Sequence, residues 1–202
     1  MPEAEYYLQR GLFVPSDKIK IIHHDLLVYP FSFSQTHQDF AEDGLKFIIN
    51  PNLDKELRLR TRERPTHPNE LAFERSLFVP DSANLPLAQQ DEVARTYVRQ
   101  LRDKLGLVYV DGGIDRITDY ERVILQHLRI RGAKLLEAGK YLYPSARVRT
   151  RVFPDRVSSE NYTPLIGPYE EDGLRVDILS REEGDPEVGV WVLLYPSLHP
   201  HQ

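Results

Sequence analysis

The chain has no cysteine in 202 residues, and it carries one methionine and one tryptophan. Without thiols there is no disulfide framework, no thiolate metal site and no cysteine nucleophile. Such a composition suits a reducing compartment, or a particle that does not rely on oxidation. Long hydrophobic runs are also missing. The longest, Val188 to Tyr195, is far too short to span a bilayer. The opening Met1-Pro2-Glu3-Ala4-Glu5 is acidic, whereas a secretory signal opens basic and turns apolar. The expectation is a soluble protein, cytoplasmic when made, with no membrane partner. No Gly-rich phosphate loop or Gly-x-Ser-x-Gly elbow occurs, so neither cofactor nor metal is expected.

What is present is an ordinary globular composition, 41% hydrophobic and 28% charged, with a net charge of -5. The length suits one domain, 1-202. Within it we distinguish a β-rich arm (1-84), a helical middle (85-139) and a β-rich acidic arm (140-202). After Pro86, the residues Val93, Tyr97, Leu101 and Leu105 recur at helical spacing, and Gly106 can close the helix. Leu107 to Val110 reads as a short strand stopped by an Asp111-Gly112-Gly113 turn. Thr118 and Glu121 are spaced as a capping box ahead of a second helix. That helix is expected to run through Leu135 to Gly139, with Gly132 as a weak point. The fold class that follows is α+β, with antiparallel β-hairpins flanking a central pair of helices.

Two internal echoes accompany this layout. Glu5 to Asp17 is mirrored by Glu70 to Ser82, each holding Leu-Phe-Val-Pro, and each reads as an amphipathic turn followed by an apolar stretch. Glu42-Asp43-Gly44-Leu45 is echoed by Glu171-Asp172-Gly173-Leu174, and each copy leads into a strand, a polar loop and another strand. The second echo suggests two related β-hairpins. Val28-Tyr29-Pro30, Leu142-Tyr143-Pro144 and Leu194-Tyr195-Pro196 look like three strand ends.

Charge is distributed unevenly. Arg58, Arg60, Arg62 and Arg64 alternate along one segment, and Arg147, Arg149 and Arg151 along another. In a strand such alternation sets the guanidinium groups in a row on one face, where they seek carboxylates or phosphates. Arg129 to Arg156 is strongly basic, while the tail beyond it holds Glu170, Glu171, Asp172, Glu182, Glu183 and Asp185. Acid and base in near neighbours favour mutual neutralisation, within one subunit or between copies.

Other clusters have plainer readings. His23-His24-Asp25 sits in a strand-like stretch that sends the two imidazoles to opposite faces, which is awkward for one metal ion. His199 and His201 lie at the terminus. Asp111, Asp115 and Asp119 surround a glycine turn in a spacing that is not a calcium loop. Asp177 and Glu187 resemble the acids of a metal-dependent nuclease, yet no lysine follows Lys140 to orient a water. The apolar run around Trp191 needs cover on both faces, from the core or from another subunit.

The leading expectation is a non-enzymatic structural or assembly subunit of a homo-oligomer or larger particle. Its partners would be copies of itself and other structural proteins. Long proline-bearing connections such as Pro154 to Pro168 add to that expectation, because a neighbour can order them. The profile is similar to small connector, terminator or baseplate proteins of tailed phages, an analogy that carries no residue motif and implies incorporation into a virion or injection particle. The alternative is a nucleic-acid-binding protein that lays its arginine strands on the phosphate backbone. A metal-dependent hydrolase or nuclease built on Asp111, Asp115 or Asp177 ranks third.

Overall fold

A computed structural model describes residues 26–29, 46–50, 71–107, 110–137, 139–149 and 162–197. They form an α+β fold of two helices and two sheets, one antiparallel and one mixed. The strands are β1 (Leu26–Tyr29), β2 (Phe47–Ile49), β3 (Leu71–Glu74), β4 (Val110–Gly113), β5 (Ser145–Arg147), β6 (Tyr162–Tyr169), β7 (Leu174–Ser180), β8 (Val188–Gly189) and β9 (Leu193–Pro196). Helix α1 spans Leu87–Leu105 and α2 spans Ile117–Arg131. The first sheet has the order β1-β3-β9-β4, the second β2-β7-β6-β5-β8.

The apolar run around Trp191 explains how the sheets are joined. Its first residues pair as β8 in the second sheet and its last as β9 in the first, so the chain changes sheets between Gly189 and Leu193. Side chains of the first sheet alternate between two cores, as a period of two requires. Leu71, Phe73, Trp191 and Leu193 enter the core shared with α2 and the second sheet. Ala72, Val190, Val192 and Leu194 enter the core shared with α1. A sheet covered on both faces has no use for polar alternation, which is why this stretch reads as continuously apolar. Trp191 is fully buried, edge-on to Phe73 and Tyr120 with ring centres 5.3 and 5.0 Å away.

Helix α1 starts directly after Pro86 and stops at Gly106, whose φ of 64° is the left-handed conformation that favours glycine. Its fully buried stripe is Leu87, Gln90, Ala94, Val98 and Leu101. The expected residues Val93, Tyr97 and Leu105 lie on the flank of that stripe, half-buried against the same core. Helix α2 departs from expectation at both ends. It stops at Gly132, not Gly139, because Gly132 adopts φ 64° and donates to Leu128 O. Thr118 and Glu121 are buried inside its first turns and make no capping box; Arg116 holds the N-cap position.

Three further expectations are corrected. Asp111-Gly112-Gly113 is the strand β4 and not a turn, paired antiparallel with β9. Gly112 is required there because a Cβ would lie 2.6 Å from Leu193 O and 2.7 Å from a Leu194 methyl. Leu142-Tyr143-Pro144 ends no strand; Leu142 is 62% exposed, and the Tyr143 ring stands edge-on to Phe78. Tyr162–Tyr169, expected as connection, is a strand with neighbours on both sides. Pro164 is tolerated because its carbonyl accepts the Val148 N–H, the direction in which proline can still serve a ladder.

The second echo has a structural outcome of a different kind. Its two strands, β2 and β7, lie side by side and parallel, with Phe47 opposite Leu174 and Ile49 opposite Val176. The hairpin in this region joins β6 to β7 through Glu170 to Gly173. The polar loop after β7 leads to β8, which pairs with β5, so it closes no hairpin. Of the first echo, the Glu70 copy supplies β3 and the buried Leu77, Phe78 and Val79. The Glu5 copy lies outside the described residues.

Candidate functional site

The two described members of the second arginine row part company. Arg147, the last residue of β5, is fully buried. Its guanidinium donates to Glu183 O at 2.8 Å and, more weakly, to Leu85 O at 3.5 Å. Burial pushes its pKa down to about 10, and nearby Asp185 works against that shift. Arg149 lies beyond the strand end, half-exposed, and bonds Asp91 Oδ1 at 2.8 Å. Burial opposes its charge, but the bond to Asp91 together with the nearby charges of Asp91 and Asp115 raises its pKa. Arg151 and the row Arg58, Arg60, Arg62 and Arg64 lie outside the described residues, as do His23, His24, His199 and His201.

The predicted acids fall in two turns. Glu170, Glu171 and Asp172 are in the β6–β7 turn, where Glu170 pairs with Arg175 at 2.9 Å. Glu182, Glu183 and Asp185 are in the loop from Arg181 to Glu187. This loop is pinned against the start of α1. Asn84 N donates to Asp185 O at 2.8 Å, and Leu87 N donates to Arg181 O at 2.9 Å. At Gly184 a Cβ would sit 2.5 Å from Asn84 O, so the two backbones are in direct contact. Glu182, Glu183 and Glu187 remain exposed on the outer side.

Farther along α1 the structure opens a cleft of about 380 Å³ between the helix and the β4–β9 pair. Arg95, Arg99 and Arg102 line it from the helix, Arg149 from the end of β5, and Asp111 and Tyr195 from the strands. Residues three and four apart on a helix share a face, so the spacing of the three helical arginines is what aligns them. The spacing is present in the sequence but does not stand out there, because Asp91, Glu92 and Asp103 mix opposite charge into the same helix. Arg95 pairs with Glu92 at 2.7 Å, both largely exposed, whereas Arg99 makes no salt bridge among the described residues. Burial, and then Asp111, push the pKa of the Tyr195 phenol well up, so it stays a hydroxyl.

A second cavity, also about 380 Å³, has the opposite character, with Glu170, Asp177, Asp185 and Glu187 in its wall beside Arg175. Asp177 is engaged structurally there, accepting from Asn50 Nδ2 at 2.7 Å and from the Ile178 N–H at 2.8 Å. Asp119 is buried within α2, while Asp111 belongs to β4. Among the described residues no three His, Cys, Asp or Glu side chains come together as a metal site. Nor is any helix among them long and apolar enough to cross a membrane. Compared with protein families, curated sequences and solved structures, the chain matches none of them.

Proposed function

We propose that the protein is a non-enzymatic assembly subunit, whose copies join when the acidic loop of one enters the arginine cleft of the next. The two features are opposite in charge. The cleft is concave and lined by four arginines and one aspartate, with Arg95 and Arg149 paired to Glu92 and Asp91 and Arg99 in no salt bridge among the described residues. The loop projects Glu182, Glu183 and Glu187, and holds Asp185 and Arg181 nearer the body. One observation carries the reading: the loop is fixed at the start of α1 by the bonds to Asn84 and Leu87, and by Arg147. Arg99 lies twelve residues beyond Leu87. At helical rise that is roughly 18 Å along the axis, so a copy is unable to fill its own cleft. A loop-to-cleft contact that the same partner does not return is heterologous, and it builds rings or filaments, as a subunit of a larger particle requires. The burial of Arg147 weighs against the nucleic-acid alternative, since a guanidinium turned into the core is not available to a phosphate track.

Sedimentation velocity at low and high salt tests this, because charge contacts weaken once the screening length falls below about 10 Å. Multiple copies at low salt and single copies at high salt are expected. A cleft variant (R95E with R99E) and a loop variant (E182K with E183K) should each be monomeric alone and associate when mixed. Failure of the mixture to associate, or DNA binding in place of self-association, would reject the assembly reading.

A further inference from the structure

We infer that the arginine cleft is also a binding site for a small phosphate-bearing molecule with free hydroxyls, such as a nucleotide or a sugar phosphate. Its volume of about 380 Å³ falls in the usual size range of small-ligand sites. Guanidinium forks bind phosphate oxygens in pairs, and here they line one cleft from two elements, the α1 face and the end of β5, with Arg95 and Arg149 also paired to Glu92 and Asp91. Arg149 is already held in place by Asp91 at 2.8 Å, so less side-chain freedom is lost when a ligand arrives. The strand wall supplies the other half of the recognition. One oxygen of the Asp111 carboxylate accepts the Gly112 N–H at 2.8 Å; a carboxylate has further acceptor sites, so Asp111 can also take a ligand hydroxyl and repels a second phosphate at that end, beside Tyr195. The phosphate therefore faces the arginines and the hydroxyl-bearing part faces Asp111. Ligand and neighbouring loop use the same guanidinium groups, so occupancy by one excludes the other; this last step rests on the assembly reading, while binding itself does not.

Calorimetric titration of the full chain tests the site, at a concentration and salt where sedimentation shows single copies. The probes are adenosine diphosphate, inorganic phosphate and adenosine. Adenosine diphosphate should bind at least about tenfold tighter than adenosine and tighter than inorganic phosphate. Arg99→Ala should weaken it by about tenfold or more, and Arg99→Lys should restore part of the loss. Asp111→Asn should narrow the preference over inorganic phosphate. Because Arg99 is exposed, its variants are expected to melt like the unaltered protein, so a change in affinity reports the cleft. Equal affinity for adenosine and its diphosphate, or an Arg99→Ala affinity unchanged from wild type, would overturn the assignment whatever the assembly experiment shows. Binding unaffected by Asp111→Asn would overturn the stated orientation.

Discussion

The end of β5 and the face of α1 both carry arginines, yet they use them in opposite ways. Arg147 is sealed inside the molecule and serves two backbone carbonyls. Arg99 stands exposed at the rim of a cleft and makes no salt bridge among the described residues. The first arginine holds the acidic loop in its shape; the second offers charge to something outside. Sequence alternation locates guanidinium groups on a strand face, but the layer above that face decides whether they meet protein or solvent. Here the loop from Arg181 to Glu187 is that layer.

The strongest way to break this contrast is Arg147→Ala. It leaves the Glu183 carbonyl without its donor and opens a cavity in a packed region, with an expected loss of about 3 kcal/mol. Arg147→Met keeps the volume and removes a desolvated charge, so it should lose distinctly less. Arg99→Ala should leave the unfolding midpoint unchanged while abolishing low-salt association. Urea unfolding of the three variants, read beside their sedimentation, checks the whole set. An Arg147→Ala protein as stable as wild type would mean that the loop is held by its backbone bonds alone.

The buried phenols sharpen the same contrast through pH. Tyr120 is fully buried and donates to Trp191 O at 2.6 Å. Burial first, then Asp115, raises its pKa well above 10.0. Tyr97, which donates to Glu74, and Tyr195 are shifted in the same direction. In the unfolded chain these groups ionise near pH 10 while the folded ones stay protonated. Their stabilisation is thus complete below pH 10 and is lost as pH rises beyond it, most from the fully buried Tyr120 and less from the half-buried Tyr97 and Tyr195, which solvent screens. Burial lowers the Arg147 pKa to about 10, so that group works in the opposite direction over the same window. Tyr120→Phe should lose about 1 kcal/mol at neutral pH and show a shallower alkaline fall. An equally steep fall in that variant would remove Tyr120 from the account.

How much of this was legible depends on the range of the interaction concerned. Helix α1 was readable because Pro86 and Gly106 act locally. The end of α2 is harder to place because Gly132 and Gly139 both offer a stop, and the left-handed cap with its bond to Leu128 O forms at Gly132. Asp111-Gly112-Gly113 looked like a turn; only the close approach of Leu193 O reveals why a strand needs glycine there. The apolar run around Trp191 showed that two faces are buried, but not that the chain passes from one sheet to another within it. At the candidate site the strand rows were conspicuous and the helical arginines were not. Alternation stands out over a few residues, whereas Arg95, Arg99 and Arg102 share a face only once the helix is built.

Arg149 gives the smallest effect and the finest test, because it belongs to the row of Arg147 by sequence and to the cleft by position. Its backbone N–H donates to Asp115 O at 2.7 Å, a bond that substitution of the side chain leaves intact. What Arg149→Gln removes is the ion pair with Asp91, whose side chains are 52% and 18% exposed. Solvent screens such a pair, so less than about 1 kcal/mol of stability is expected to go. Association and phosphate binding should nevertheless weaken, since the cleft loses one of its four guanidinium groups. A double-mutant cycle with Asp91→Asn isolates the pair energy from the rest of the side chain. If Arg149→Gln unfolds as readily as Arg147→Ala, the two neighbours share one structural role, and the division between a loop-holding arginine and a cleft of contact arginines no longer stands.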